Sequence, residues 1–293
     1  MKHSEDLFLP PQTFAGLYSP HSDFGTARVV ILPVPYDSTT EWHSGTRKGP
    51  KAIIEASQYL ELYDLELDRE IYKVGIHTLP ELRPVLNNPE DMIKQVYNVS
   101  KSLLLDNKFV VMLGGEHSLS LGMVQAFKEI HQDLCVLQLD AHADLRDEYT
   151  ATKYSHACVI RRIVELCPIT QVGIRSLSAE ENTFLKQNKM NPFYLTTSRP
   201  HSHPIQQIIN SLGEKVYVTI DLDVFDPSIM SAVGTPEPNG MFWHEVIGLL
   251  KAITQHRYVV GFDIVELCPD QGPDSCAFLA AKLAYTLIGY ATS

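Results

Sequence analysis

The chain reads as a single α/β domain in three layers, with helices on both faces of a mostly parallel, doubly wound sheet. Three observations lead there. Apolar runs of strand length recur along the chain, and most are followed by a stretch with helical spacing. Several runs are rich in Val, Ile and Leu without in-and-out alternation, as strands buried on both faces are. No low-complexity linker or repeat divides the 293 residues, so 1–293 is taken as one domain.

Taken in order, residues 1–26 are rich in Pro, Ser, His and aromatics and show no period. They are expected to form an N-terminal extension packed across the domain or a neighbouring subunit. Residues 27–35 (ARVVILPVP) are a buried strand closed by proline. After a loop holding Gly45-Thr46-Arg47, Gly49-Pro50 opens a helix to about residue 60, with proline in its first turn. A strand at 73–79 precedes a helix at 89–105, where Met92, Val96, Val99 and Leu103 share one face. The strand 109–113 runs into Gly114-Gly115-Glu116-His117, and Ser118 is a candidate N-cap for a helix at 118–131. Strand 134–140 leads through a long polar loop to a helix at 156–166. Next come strand 169–175, helix 179–189, a short strand 192–195 and helix 204–212. Strand 215–223 is followed by a Pro/Gly-rich loop at 224–242, too long for a simple connection and expected to be functional. Helix 243–255, strand 258–266 and helix 276–290 complete the chain.

Composition narrows the function class. A net charge of −11 with no long basic block argues against nucleic acid or an anionic membrane as the main partner, and suits a cationic substrate. No apolar run approaches the length of a membrane-crossing helix. The opening Met1-Lys2-His3-Ser4-Glu5-Asp6 lacks the apolar core of a signal peptide, and a cytoplasmic location is expected. Cys135, Cys158, Cys167, Cys268 and Cys276 are odd in number with no CxxC pair, and read as reduced, mostly buried thiols.

Chemistry-bearing residues gather at strand ends, where ligands of doubly wound sheets sit. Asp140, His142 and Asp144 follow the run ending at Leu139, and period-2 spacing sets all three on one side of extended backbone. Asp221 and Asp223 repeat that spacing, His117 follows 109–113, and Glu266 closes 258–266. Carboxylates there carry a desolvation cost unless paired or bound to a cation. Oxygen donors with imidazole suit a divalent ion such as Mn²⁺. Each feature has a plain alternative: a polar turn for Asp140 to Asp144, a helix start for His117, turn residues for Asp221 and Asp223. Considered jointly, they favour a metal site. His201 and His203 lie in a Ser/Pro loop without a nearby carboxylate and are expected to be solvated.

Gly114-Gly115-Glu116-His117-Ser118, Asp140-Ala141-His142-Ala143-Asp144 and Thr219-Ile220-Asp221-Leu222-Asp223 resemble, in order and spacing, the three metal signatures of the ureohydrolase family of arginases and agmatinases. Phe225-Asp226-Pro227, Gly234-Thr235-Pro236-Glu237-Pro238 and Asp263-Ile264-Val265-Glu266 extend the resemblance, which runs from about Ala27 to the C-terminus. It implies an arginase-like fold with two Mn²⁺ per chain. One ion would take His117, Asp140, Asp144 and Asp221, the other Asp140, His142, Asp221 and Asp223, with Asp140 and Asp221 bridging. A shared water, acidified by both ions, would attack the guanidinium carbon of the substrate. Glu266 matches the family's guanidinium-orienting carboxylate, against the alternative of a surface acid. His156 matches its proton-shuttling histidine, against that of a helix-start residue. The resemblance also implies a homo-oligomer, a trimer or hexamer.

The substrate tail is read from departures. Arg146 and Ser178 stand where arginases usually carry Asn and Asp, while Tyr36-Asp37-Ser38-Thr39-Thr40 and the Gly-Thr-Pro-Glu-Pro form look like agmatinases. The expectation is hydrolysis of agmatine to putrescine and urea, a step of polyamine biosynthesis. Asp147 or Glu148 is expected to receive the far ammonium, with Arg146 and Thr235 also at the substrate. N(1)-aminopropylagmatine is the runner-up, followed by arginine, guanidinobutyrate and formimidoylglutamate. A non-catalytic ureohydrolase-like subunit is the alternative of a different class, but it would be expected to have lost ligands that are all present here. An amide-hydrolysing relative is weakened by the dinuclear ligand count.

Overall fold

Strands buried on both faces need a helical layer on each side, and this fold supplies both. The computed structural model describes residues 9–196 and 204–293. Its strands are β1 (Val29–Val34), β2 (Tyr63–Asp64), β3 (Arg69–Glu70), β4 (Ile76–Thr78), β5 (Phe109–Gly114), β6 (Leu134–Leu139), β7 (Ile169–Val172), β8 (Lys215–Asp221) and β9 (Tyr258–Val265). The helices are α1 (Gly49–Ser57), α2 (Pro89–Leu105), α3 (Ser120–Ile130), α4 (Val159–Ile163), α5 (Ala179–Gln187), α6 (Ile205–Ser211), α7 (Trp243–His256) and α8 (Ser275–Ala291). Seven strands form one parallel sheet in the order β4-β1-β5-β9-β8-β6-β7, while β2 and β3 make a small antiparallel ribbon that the apolar pattern does not signal.

Alternate residues of each strand feed opposite cores. On one face Val29, Ile31, Leu137, Val218 and Ile264 pack with residues of α1, α6, α7 and α8. On the other, Val30, Leu32, Met112, Val136 and Tyr217 pack with residues of α2, α3, α4 and α5. All six residues of β1 and all six of β6 are buried, which explains why their sequences show no alternation. The described part of the extension lies against its own domain. Phe14 is fully buried, and its N–H donates to Thr78 Oγ1 at 2.8 Å while that of Ala15 reaches Ser57 Oγ at 2.8 Å.

Two local expectations need correction. Residues 192–195 form no strand; Phe193 makes a single bridge to Val172. Ser118 is not an N-cap: Glu116 takes that position before a 3₁₀ turn, His117–Leu119, and the Ser118 hydroxyl donates to the Glu116 carboxylate instead. Ser178, one of the departures used to read the substrate, caps α5: it accepts from Glu181 N at 3.3 Å while Glu181 Oε2 accepts from Ser178 N at 2.6 Å. All five cysteines are free and buried. His201 and His203 lie outside the described residues. No helix among the described residues is long and apolar enough to cross a membrane.

Candidate metal centre and active site

Four neighbouring strands, β5, β9, β8 and β6, deliver the strand-end residues to one edge. The last strand in the chain, β9, inserts between β5 and β8, which sets Glu266 beside His117: the His117 N–H donates to Glu266 Oε1 at 2.7 Å. The turn after β5 passes close to the end of β1, with Gly115 N donating to Val34 O at 3.0 Å and Glu116 N to Tyr36 O at 2.8 Å. A Cβ at Gly115 would lie 2.0 Å from Tyr36 O, so only glycine lets the backbone pass. Asp144 and Glu266 hold φ of 52° and 67°, conformations uncommon for residues with a side chain, that turn them out of their strands' continuation.

The converging side chains form two overlapping donor groups, His117 with Asp140 and Asp221, and Asp140 with His142 and Asp223. His117 Nδ1 lies 3.1 Å from Asp140 Oδ2, 3.2 Å from Asp144 Oδ2 and 3.4 Å from Asp221 Oδ2. It is buried and makes no well-formed hydrogen bond to any of them. A bare ring nitrogen facing three carboxylate oxygens is the arrangement a divalent cation between them would satisfy, so the residues fit such an ion. His142 Nδ1 sits 2.8 Å from Asp223 Oδ2, giving the second group the same nitrogen-and-oxygen character.

A ring of partners orients these ligands. His117 Nε2 faces Thr219 Oγ1 at 2.9 Å, and that hydroxyl donates to Asp263 Oδ1 at 2.6 Å; Tyr217 donates to Asp263 Oδ2 at 2.6 Å. Holding Nε2 as the protonated nitrogen leaves Nδ1 for a cation. Gln138 Nε2 donates to Asp140 Oδ2 at 2.6 Å, while Gln138 Oε1 accepts from Gln171 Nε2 at 2.7 Å. Backbone amides complete the set: His142 N to Asp140 Oδ1 at 2.6 Å, Ala141 N to Asp223 Oδ1 at 3.0 Å and Asp223 N to Asp221 Oδ1 at 2.9 Å. From the sequence Thr219 and Asp263 stood only inside longer motifs, and neither they nor Gln138 and Gln171 were given a role. Their signal was there, since a polar residue inside a buried strand must find a partner.

Burial, then the charges of Asp223 and Asp144, push the Asp140 carboxyl up to about 7. Burial opposes a proton on His117, but the facing carboxylates of Asp140, Asp144 and Asp221 outweigh it and raise the imidazole well above its usual range. Burial also opposes charge on Asp223, where attraction to His142 prevails and holds the carboxyl at about 2. For Asp140 and His117 the folded value exceeds the unfolded one, so their contribution to stability is lost as pH rises and a cation must displace their protons. The expected result is that the stabilisation by saturating Mn²⁺ grows between about pH 5 and about pH 7, by up to ~1.4 kcal/mol per pH unit for each proton displaced, and the gain in Tm with it. Thermal unfolding in chelator and in Mn²⁺ checks this; a gain independent of pH contradicts it.

A cavity of about 350 Å³ opens above the cluster, lined by His142, Asp144, Asp221, Asp223 and Glu266 at its floor and by Glu41, Trp42, Arg146, Tyr149 and Thr235 among its walls. His156 also lines it, where burial lowers the imidazole below its ordinary value. The expected tail-binding residues separate. Arg146 and Thr235 line the cavity, and the Arg146 guanidinium sits 4.8 Å from the Tyr149 ring centroid. Asp147 and Glu148 do not. Arg162 Nη2 holds Asp147 Oδ1 at 2.6 Å, with Lys153 and Arg161 nearby, and Glu148 is exposed. Glu41, which does reach the wall, accepts a hydrogen bond from the Tyr149 hydroxyl.

Arg175 is a further residue the spacing did not reveal. Its guanidinium donates to the carbonyls of Asp223 at 2.6 Å, Glu237 at 2.8 Å and Pro238 at 3.0 Å, tying the 224–242 loop to the cluster. Glu181 plays the matching part on the other side, accepting from Leu145 N at 2.8 Å just past Asp144.

A profile of the Arginase family matches residues 27–289. The chain belongs to the arginase family. This arginase-family hydrolase is 36% identical over 277 residues to the N(1)-aminopropylagmatine ureohydrolase of Synechocystis sp., covering 92% of this chain and 90% of that one. It is 35% identical over 274 residues to the agmatinase of Pyrococcus horikoshii, covering 92% and 94%. The agmatine ureohydrolase structure of Thermoplasma volcanium superposes with a TM-score of 0.85 at 29% identity, over 98% of this chain and 96% of that one.

Proposed function

We propose that this arginase-family hydrolase is a ureohydrolase acting on N(1)-aminopropylagmatine, with agmatine as its second substrate. The observation that carries this reading is the charge of the cavity. Apart from the carboxylates that would hold the two ions, Glu41, Glu181 and Glu266 line it against one guanidinium, that of Arg146, so a cationic guanidine suits it better than one ending in a carboxylate. Glu41, Trp42 and Tyr149 at the outer wall suit a second cationic arm, through charge and through the aromatic faces. The names of the Synechocystis and Pyrococcus relatives support the same substrate pair.

In this reading His117, Asp140, Asp144 and Asp221 would hold one Mn²⁺ and Asp140, His142, Asp221 and Asp223 the other. Two such ions, when bound, make a nucleophile available from water near neutral pH. Glu266 has one oxygen fixed by the His117 amide, and its carboxylate, on the cavity floor, takes the guanidinium N–H groups by charge-assisted hydrogen bonds. Burial and the nearby Glu116 charge push Glu266 up, and the arriving cation favours its ionised form. His156, neutral at rest, takes up a proton given off as water becomes the nucleophile and passes it to the departing amine.

Urea release measured side by side from N(1)-aminopropylagmatine, agmatine, arginine and guanidinobutyrate tests the substrate. The first two are expected to react fastest, with N(1)-aminopropylagmatine ahead; faster release from arginine overturns the assignment. Trp42→Ala should raise KM for N(1)-aminopropylagmatine about 3- to 30-fold while leaving kcat nearly unchanged, as loss of ~0.5–2 kcal/mol of cation–aromatic attraction implies. An unchanged KM removes Trp42 from the tail site.

A further inference from the structure

Glu116 stands beside the metal ligand His117 but is no part of either donor group. Its carboxylate is fully buried and surrounded by donors. Thr39 N donates to Oε2 at 2.7 Å, Thr39 Oγ1 lies 2.6 Å from Oε1, and the Ser118 hydroxyl also donates to Oε1. Thr39 in turn touches His156 twice: the His156 backbone N–H donates to Thr39 Oγ1 at 3.1 Å, and ring Nδ1 lies 3.2 Å from the same oxygen.

A hydroxyl has one proton to give and two lone pairs to offer. At Thr39 the proton goes to the nearest acceptor, Glu116 Oε1. The lone pairs then receive the His156 backbone amide and, on the count that remains, a proton on Nδ1. A neutral imidazole protonated at Nδ1 has its basic lone pair at Nε2, the ring nitrogen away from Thr39, available to the cavity that His156 lines. We propose that Glu116, acting through Thr39, is a positioning residue that sets which nitrogen of His156 carries the resting proton, so that Nε2 alone exchanges protons with the substrate. This rests on the reading of His156 as the proton-handling group. The Gly-Gly-Glu-His segment thereby serves two functions: His117 faces the metal cluster, and Glu116 reaches the 36–40 segment on the opposite side.

The test uses the Mn²⁺-loaded enzyme with agmatine. Thr39→Val keeps the side chain's shape and removes its hydroxyl; Thr39→Ser restores the hydroxyl. Thr39→Val is expected to lower kcat about 10- to 100-fold with KM within about twofold, since general acid–base catalysis is worth roughly 100-fold or more. Thr39→Ser is expected to recover most of that loss, and Glu116→Gln to reproduce it. Added to His156→Ala, Thr39→Val should cause no further loss, because its effect passes through the ring already removed. Metal content and Tm, measured for every variant, separate these effects from misfolding. The proposal is overturned if Thr39→Val retains the kcat of the unaltered enzyme, or if it lowers kcat as much in the His156→Ala background as in the parent, which marks a structural role. A His156→Ala enzyme with undiminished kcat overturns both this link and the assignment of His156. Should Glu116→Gln fail to fold, the Thr39 pair and the double variant decide the question alone.

Discussion

Asp221→Asn should strip both cation sites and lower urea release by at least about a thousandfold, some 4 kcal/mol of transition-state stabilisation. Asp221 closes β8 and is 4% exposed, with Oδ1 accepting from Asp223 N at 2.9 Å and Oδ2 lying 3.4 Å from His117 Nδ1. It therefore touches the residues of both donor groups. An amide keeps the volume but removes a charge that two cations would share, so neither site keeps its affinity. Metal analysis after gel filtration in trace-metal-free buffer is the direct measurement. Two tightly held Mn²⁺ per chain in the variant would rule out the bridging role. Without metal, burial and the charges of Asp223 and Asp140 push the Asp221 carboxyl well up, so the same substitution should leave the chelated protein no less stable. Loss of metal with retention of fold separates a ligand from a structural acid.

Glu266→Gln should do the reverse: both Mn²⁺ stay, and turnover falls about 100- to 1,000-fold, the usual cost of removing one preorganised electrostatic partner. The residue belongs to neither donor group, yet its φ of 67° and the 2.7 Å bond from the His117 amide fix its carboxylate on the cavity floor. Glutamine can keep the bond from the amide but cannot offer two anionic oxygens to a guanidinium. Near-normal kcat with full metal occupancy would remove Glu266 from the site.

Legibility in the sequence followed the range of the interaction responsible. The sheet strands bearing the cluster begin and end within one or two residues of the expected positions, because burial on both faces writes itself into consecutive residues. The brief segment at 192–195 fails as a strand, since isolated bridging depends on the neighbour and not on its own pattern. Asp147 shows the same limit. A carboxylate in a polar loop three residues past Asp144 looks unpartnered, but Arg162, fifteen positions on, pairs with it. Gln138, Thr219 and Asp263 were passed over because their strands were scored for apolar content, although a buried polar side chain is itself a signal.

By itself, the sequence determined the layered α/β architecture, the carboxylates and histidines at strand ends, and the likeness to arginases and agmatinases. These depend on local period, local burial and short ordered motifs. The tertiary structure alone decided that β9 lies between β5 and β8, bringing Glu266 to His117 across 149 positions. It alone decided that Glu41 and Trp42, rather than Asp147 and Glu148, line the cavity, and that Thr39 joins Glu116 to His156 across 77 and 117 positions. Those contacts arise from the order in which strands pack, and no local pattern of residues encodes that order.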